Sequence, residues 1–152
     1  MGMSEYMRAL RSKIGHDYVL VPCAAVLIRD EAGRVLLVRH VEGRWQLPGG
    51  AIDPDESPAE AARRECLEEA SVEIEVGRIV GAFGGPDYRV TYANGDEVGV
   101  VSTVFEADIV AGRPRPGDDE TEDVRWFAPD ELTALELRAS TRGAAEALGL
   151  IG

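Results

Sequence analysis

Apolar residues run almost unbroken from Val19 to Ile28 and again through Val35, Leu36, Leu37 and Val38, with Asp30-Glu31-Ala32-Gly33 between them. Runs of this length bounded by a turn predict two buried strands, over residues 19–28 and 34–41. Upstream, Met7, Leu10 and Ile14 recur at helical spacing and predict a short amphipathic helix in an N-terminal extension over residues 1–17. That helix would either cap the domain or meet a partner subunit, which leaves a homodimer open. Further strands are expected over residues 46–52, leading by a loop into a helix, and over 72–83. Residues 88–92 and 98–107 flank Asn94-Gly95, a hairpin turn signal. A Pro- and Gly-rich loop over 111–117 precedes a last strand at 124–127, and Pro129-Asp130-Glu131 predicts the opening of a final helix. Periodicity alone thus gives one domain of helices and strands; the element order predicts a mixed sheet with helices on both sides, an α/β/α sandwich.

The central helix carries the chemistry. Ser57-Pro58-Ala59-Glu60 reads as a capping box with proline at the first helical position. Ala59, Ala62, Cys66 and Ala70 then form a narrow stripe of small apolar side chains, suited to lying close against a sheet. On its border Glu65, Glu68 and Glu69 are surface neighbours at helical spacing. Each like-charge pair costs an isolated helix roughly 0.2–0.5 kcal/mol. Arg64 is placed to pair with Glu68, and Glu60 with Arg64, which leaves the three carboxylates under-compensated. A solvated acidic face and a site for a hard divalent cation such as Mg²⁺, Mn²⁺ or Ca²⁺ are the two readings of such a run.

Charge narrows the classes of partner. The 152 residues carry a formal net charge of −12, which argues against a nucleic-acid polymer, since phosphate-backbone binding relies on clustered Lys and Arg. A small nucleotide remains compatible, because a metal can bridge acidic protein and anionic substrate. Neither an apolar run of about 18 residues nor an apolar signal core is present, so no membrane association and a cytoplasmic location are expected. Cys23 and Cys66 have apolar neighbours that suit buried, reduced thiols.

Reading outward from the glutamates, Gly50, five residues, Glu56, seven residues, then Arg64-Glu65-Cys66-Leu67-Glu68-Glu69-Ala70-Ser71-Val72 resembles the Nudix box, G-x5-E-x7-R-E-U-x-E-E-x-G-U with U aliphatic. The lead-in Trp45-Gln46-Leu47-Pro48-Gly49-Gly50 is also similar to that family. Two positions depart from the pattern: Cys66 stands where an aliphatic residue is usual, and Ser71 where glycine is usual. Cysteine is a small hydrophobe that suits the stripe, whereas a non-glycine residue in a left-handed cap costs about 1 kcal/mol or more. The resemblance implies a single Nudix hydrolase domain over residues 1–152, with the α/β/α sandwich and mixed sheet. It implies a Mg²⁺ or Mn²⁺ site made by Glu65, Glu68, Glu69 and the carbonyl of Gly49. Glu68, Glu69 and Glu120 are then candidate catalytic acids, and Glu56 with Arg64 a pair that fixes the loop on the helix. The implied activity is hydrolysis of a phosphoanhydride in a nucleoside diphosphate linked to another moiety: a nucleotide sugar, ADP-ribose, a dinucleoside polyphosphate or a nucleoside triphosphate. A nucleotide-binding sensor of the same fold would be expected to lose box glutamates, and none is lost here; a purely structural acidic domain is the remaining alternative.

Specificity is expected outside the box, around residues 83–97 and 111–120. Trp45, Phe83, Tyr88 and Tyr92 are candidates to stack on a base, set against packing in the core or hairpin. His16 and His40 have no motif around them and read as surface or structural. Asp53-Pro54-Asp55-Glu56 lacks the glycine and terminal glutamate spacing of a calcium loop.

Overall fold

The computed structural model describes residues 3–41 and 43–152; Met1, Gly2 and Glu42 lie outside the described residues, so the start of the 1–17 extension does too. The elements in order are α1 (Glu5–Ile14), β1 (Val19–Ile28), β2 (Val35–His40), β3 (Trp45–Gln46), β4 (Gly49–Ala51), α2 (Pro58–Ala70), β5 (Glu73–Phe83), β6 (Arg89–Thr91), β7 (Glu97–Ala111), β8 (Thr121–Phe127) and α3 (Ala139–Ala147). The strands form two sheets rather than one. The larger runs β4-β1-β7-β5 with β6 also on β7, and the smaller runs β3-β2-β8. β1 and β7 are parallel from Val19↔Val98 to Ile28↔Ala107, and the other pairings are antiparallel, so the larger sheet is mixed.

The continuous apolar runs follow from burial on both faces. Ala24, Val26, Ile28, Leu36 and Val38 pack with Ala61, Ala62, Cys66 and Ala70 of α2. The intervening Leu27, Val35 and Leu37 pack on the opposite side with Trp45, Phe127 and Ala144 and Ala145 of α3. Cys66 is fully buried, as the stripe requires, but Cys23 is only partly so, its thiol 3.7 Å from the Val21 carbonyl.

The final helix begins later than Pro129 predicts. Pro129–Ala134 winds as 3-10 turns, with Leu132 buried and the Leu135 N–H bonded to its carbonyl at 3.2 Å. Residues 136–138 then run extended beside Trp45: its N–H donates to the Glu136 carbonyl at 2.8 Å and its carbonyl accepts from Arg138 N–H at 2.9 Å. This pairing of a short edge strand holds the chain out of helix until Ala139.

α1 is a half-buried helix fastened by polar contacts; none of its residues is fully buried. Arg11 donates to the carbonyls of Asp17 (2.6 Å) and Glu97 (3.0 Å), and Asp96 beside it accepts from His16 Nδ1 at 2.7 Å. The expected Asn94-Gly95 turn thus also anchors the N-terminal helix.

α2 begins as its sequence dictates, with the Ser57 hydroxyl accepting from Glu60 N–H at 3.1 Å. It ends at Ser71 in the left-handed region, φ 60°, ψ 29°. The loop after β7 covers that end: Arg115 N–H donates to the Ala70 carbonyl (3.0 Å) and Gly117 N–H to the Glu69 carbonyl (3.1 Å), satisfying acceptors the helix leaves open. Ser71→Gly is expected to remove the left-handed penalty and raise the melting temperature by about 3 °C, the shift for about 1 kcal/mol in a domain of this size. Thermal denaturation checks it, and a fall instead would mean that the serine stabilises this turn.

Candidate metal and active site

α2 lies on the face of the larger sheet where β4 joins β1, and two adjacent glycines of β4 meet its carboxylates. Gly50 pairs with Ala24, and a Cβ built on it would stand 2.6 Å from Glu65 Oε1. The Gly49 N–H donates to Glu69 Oε1 at 2.8 Å. Glu65 and Glu69 are 3% and 2% exposed, while the Glu68 side chain is 33% exposed and reaches toward solvent.

Arg64 organises the other end of the cluster. Its guanidinium forks onto Glu56 (Nε–Oε2 2.7 Å, Nη2–Oε1 2.9 Å), the pair expected from the sequence. Nη2 also donates to the Ala51 carbonyl at 3.0 Å, and Glu56 accepts from Asp53 N–H at 3.0 Å, so the loop between β4 and α2 is tied to the helix. Nη1 lies 3.0 Å from Glu65 and 3.3 Å from Glu68. The glutamates are therefore better compensated than their spacing predicts. Arg64 stands between two of them and Glu69 turns away to the sheet, and among the described residues no three acidic, His or Cys side chains close into a ready-made metal cage.

Negative charge still exceeds positive charge here. Burial pushes the Glu65 carboxyl up to about 7, with Glu69 adding to the rise and Arg64 opposing it. Burial likewise holds Glu69 above the usual carboxylate range, against the hydrogen bonds from His40 and Gly49 and with the Asp118 charge adding to the rise. Glu56, bonded to Arg64, is held below that range. Carboxylate oxygens, partly desolvated, short of positive charge and seated over a glycine with no Cβ, fit a hard divalent cation such as Mg²⁺ or Mn²⁺.

The pattern of homology agrees with this geometry. The NUDIX domain family model matches residues 19–148, from the first residue of β1 to just beyond α3. The chain belongs to the Nudix hydrolase family. It is an enzyme of that class, with the family's fold. This Nudix hydrolase is 33% identical over 114 residues to a MutT-like protein of Streptomyces ambofaciens, covering 74% of this chain and 66% of that one. It is 34% identical over 112 residues to the nucleoside triphosphatase NudI of Salmonella newport (strain SL254), covering 72% and 79%. Among solved structures, the MutT protein from Methanosarcina mazei Go1 superposes with a TM-score of 0.74 at 27% identity, covering 88% of this chain and 95% of that chain.

The remaining expected residues separate clearly. Gly49 is placed on the cluster by its N–H. Glu120 ends the loop that covers α2: its N–H donates to Asp118 Oδ1 at 3.2 Å and its carbonyl accepts from Val41 N–H at 3.0 Å. Trp45 packs edge-on against Phe127 with centroids 4.8 Å apart, Phe83 lies against the second core, and the Tyr88 hydroxyl rests against Gly143. Tyr92 is exposed on the hairpin. Two residues were not anticipated. His40 is no isolated histidine, because its Nε2 lies 2.5 Å from Glu69 Oε2. Tyr18, exposed beneath the Arg89 guanidinium at 4.5 Å, lines an open cleft of about 350 Å³ with Leu20, Gly85, Pro86 and Gly99. No helix among the described residues is long and apolar enough to cross a membrane.

Proposed function

We propose that this protein, as a single catalytic domain, hydrolyses a phosphoanhydride bond of a nucleoside diphosphate linked to a further group, with Mg²⁺ or Mn²⁺ held by Glu65, Glu68, Glu69 and the Gly49 carbonyl. The observation that carries the proposal is the set of crowded, partly desolvated carboxylates on α2 seated against the glycine pair of β4. A cation bound there neutralises phosphoryl oxygens and lowers the pKa of coordinated water. Glu56 and Arg64 keep the loop of residues 52–57 on the helix, and Arg64 limits how far Glu65 and Glu68 spread. Glu68, more exposed than its neighbours, and Glu120 at the edge of the covering loop are the acids suited to accept the proton of the attacking water; Glu69 is already engaged on both oxygens.

The cleft beside Tyr18 suits the nucleoside. Leu20 is four residues from Ala24 along β1, about 13 Å at strand rise, and alternation puts both on the face that carries α2. Leu20 and Val101 are exposed there, an apolar platform next to an anionic, cation-binding end. NudI is named a nucleoside triphosphatase, so nucleoside triphosphates belong in the test beside ADP-ribose, nucleotide sugars and dinucleoside polyphosphates. Assayed for released phosphate or nucleoside monophosphate with Mg²⁺ or Mn²⁺, at least one class should turn over, and excess chelator should abolish it. Activity that persists in chelator would remove α2 from the chemistry.

A further inference from the structure

His40 ends β2 at a point where the smaller sheet breaks step. β2 and β8 pair residue by residue from Val35↔Phe127 to Arg39↔Asp123, but the next pair is His40↔Thr121, so Glu122 is an extra residue in β8. A bulge of this kind bends its strand and re-aims the groups around it. Here it turns the chain toward the loop over α2, where Val41 N–H meets the Glu120 carbonyl. His40 keeps the alternation of Leu36 and Val38, both buried against α2, so its imidazole enters the same layer. A polar group in that layer is costly unless it is bonded. Its partner is the carboxylate of Glu69, a residue 2% exposed.

The Glu69 side chain is thereby held from two strands. Oε1 accepts from Gly49 N–H of β4 at 2.8 Å, Oε2 accepts from His40 Nε2 of β2 at 2.5 Å, and the Glu69 carbonyl is fixed by Gly117 N–H at 3.1 Å. A glutamate has three side-chain torsions, and ordering them costs up to about 2 kcal/mol of rotamer freedom. The fork meets that cost on folding, so less is lost when a ligand arrives. Each carboxylate oxygen has two acceptor sites, so one donor on each leaves capacity for a cation.

We infer that His40 is a positioning residue, which clamps the Glu69 carboxylate against the Gly49 N–H so that it meets an incoming divalent cation without reorganising. The inference rests on the reading of α2 as a cation site and adds to it a residue from outside that helix. It is distinct from packing, because it depends on a donor at one reach from the β2 backbone. Glutamine at position 40 carries an N–H at similar reach, whereas asparagine is as polar but too short to span to Glu69.

The test is Mn²⁺ binding to the substrate-free full-length chain, followed by the electron paramagnetic resonance signal of free Mn²⁺, for wild type, His40→Gln, His40→Asn and Glu65→Gln. His40→Asn should weaken binding by about 10- to 100-fold, the usual cost of losing a group that orients a metal ligand. His40→Gln should recover most of that loss, with the metal-free melting temperatures of the two variants close. In turnover, His40→Asn should need more Mn²⁺ for half-maximal rate and regain most of its kcat at saturation. Equal binding by His40→Asn and wild type, with Glu65→Gln impaired, would overturn the role of His40 while leaving the cation site standing. Equal impairment of the Asn and Gln variants would also overturn it, since packing alone would then explain the loss. Absence of Mn²⁺ binding by wild type would remove the cation site and this inference together.

Discussion

Glu65→Gln is expected to cut turnover by orders of magnitude while leaving the metal-free protein at least as stable as wild type at pH 8. Glu65 is buried beneath Arg64 and beside Gly50, and its carboxyl is pushed up to about 7, first by burial and then by Glu69. A folded-state value above the ordinary carboxylate value means that the fold prefers the neutral form. Its contribution to stability is present in mild acid and is lost as pH rises through about 7. Glutamine keeps the shape, loses the charge and lacks this dependence, so above that pH the variant should equal or exceed wild type. Added Mg²⁺ should reverse the order, because wild type gains stability by binding the ion to its folded state and the variant gains less. The rate should fall on the order of 10²- to 10³-fold, the size of effect seen when one group that stabilises developing charge is removed. Melting curves at pH 8 with and without Mg²⁺, together with turnover on the substrate found in the panel, make the measurement. A variant that is less stable without metal, responds to Mg²⁺ as wild type does and remains active would sink the catalytic reading of α2. Glu68 is less suited to this contrast, because it is one-third exposed and its 3.3 Å pair with Arg64 is screened by solvent.

What the sequence disclosed about this site is what short-range rules govern. The start of α2, its stripe of small residues, the left-handed stop at Ser71 and the Glu56–Arg64 fork all follow from residues within a dozen positions of one another. β1 and β2 were legible because strands covered on both faces read as unbroken apolar runs. Partners distant in the chain were not legible. Trp45 hydrogen-bonds to the chain of residues 136–138, and that pairing both delays α3 and gives the smaller sheet its own edge. His40 and Glu69 are 29 residues apart, and no motif joins them. A faint signal did exist in parity: His40 follows Leu36 and Val38 on the same side of a buried strand, and an imidazole there demands a polar partner. Tyr18 belongs to its cleft because β1 lies parallel to β7, a register that neither segment encodes alone.

Two neighbouring glycines should fail in different ways when each is replaced by alanine. At Gly49 an added Cβ would stand 2.3 Å from the Ala24 carbonyl oxygen and 2.6 Å from Ala25 Cα, both backbone atoms of the strand that pairs with it. Backbone cannot swing aside, so Gly49→Ala must force β4 away from β1, at a cost of about 1–3 kcal/mol or more. At about 3 °C per kcal/mol for a domain of this size, the melting temperature should drop by several degrees. At Gly50 the nearest atoms to the added Cβ all belong to one side-chain carboxylate, Glu65 Oε1 at 2.6 Å, its carboxyl carbon at 2.8 Å and Oε2 at 3.1 Å. That carboxylate must shift, but it is pinned by Arg64 at 3.0 Å and enclosed by the sheet, so it leaves its seat over the strand rather than adjusting within it. Moving a buried, charge-crowded group away from β4 costs the fold little, and Gly50→Ala should melt within about 3 °C of wild type while losing Mn²⁺ affinity and most of its turnover. Thermal denaturation, Mn²⁺ titration and turnover on the same two proteins separate the effects. If Gly50→Ala bound Mn²⁺ and turned over like wild type, the seat of Glu65 over Gly50 would have no part in the metal site. If both variants lost only stability, the glycine pair would serve the sheet alone.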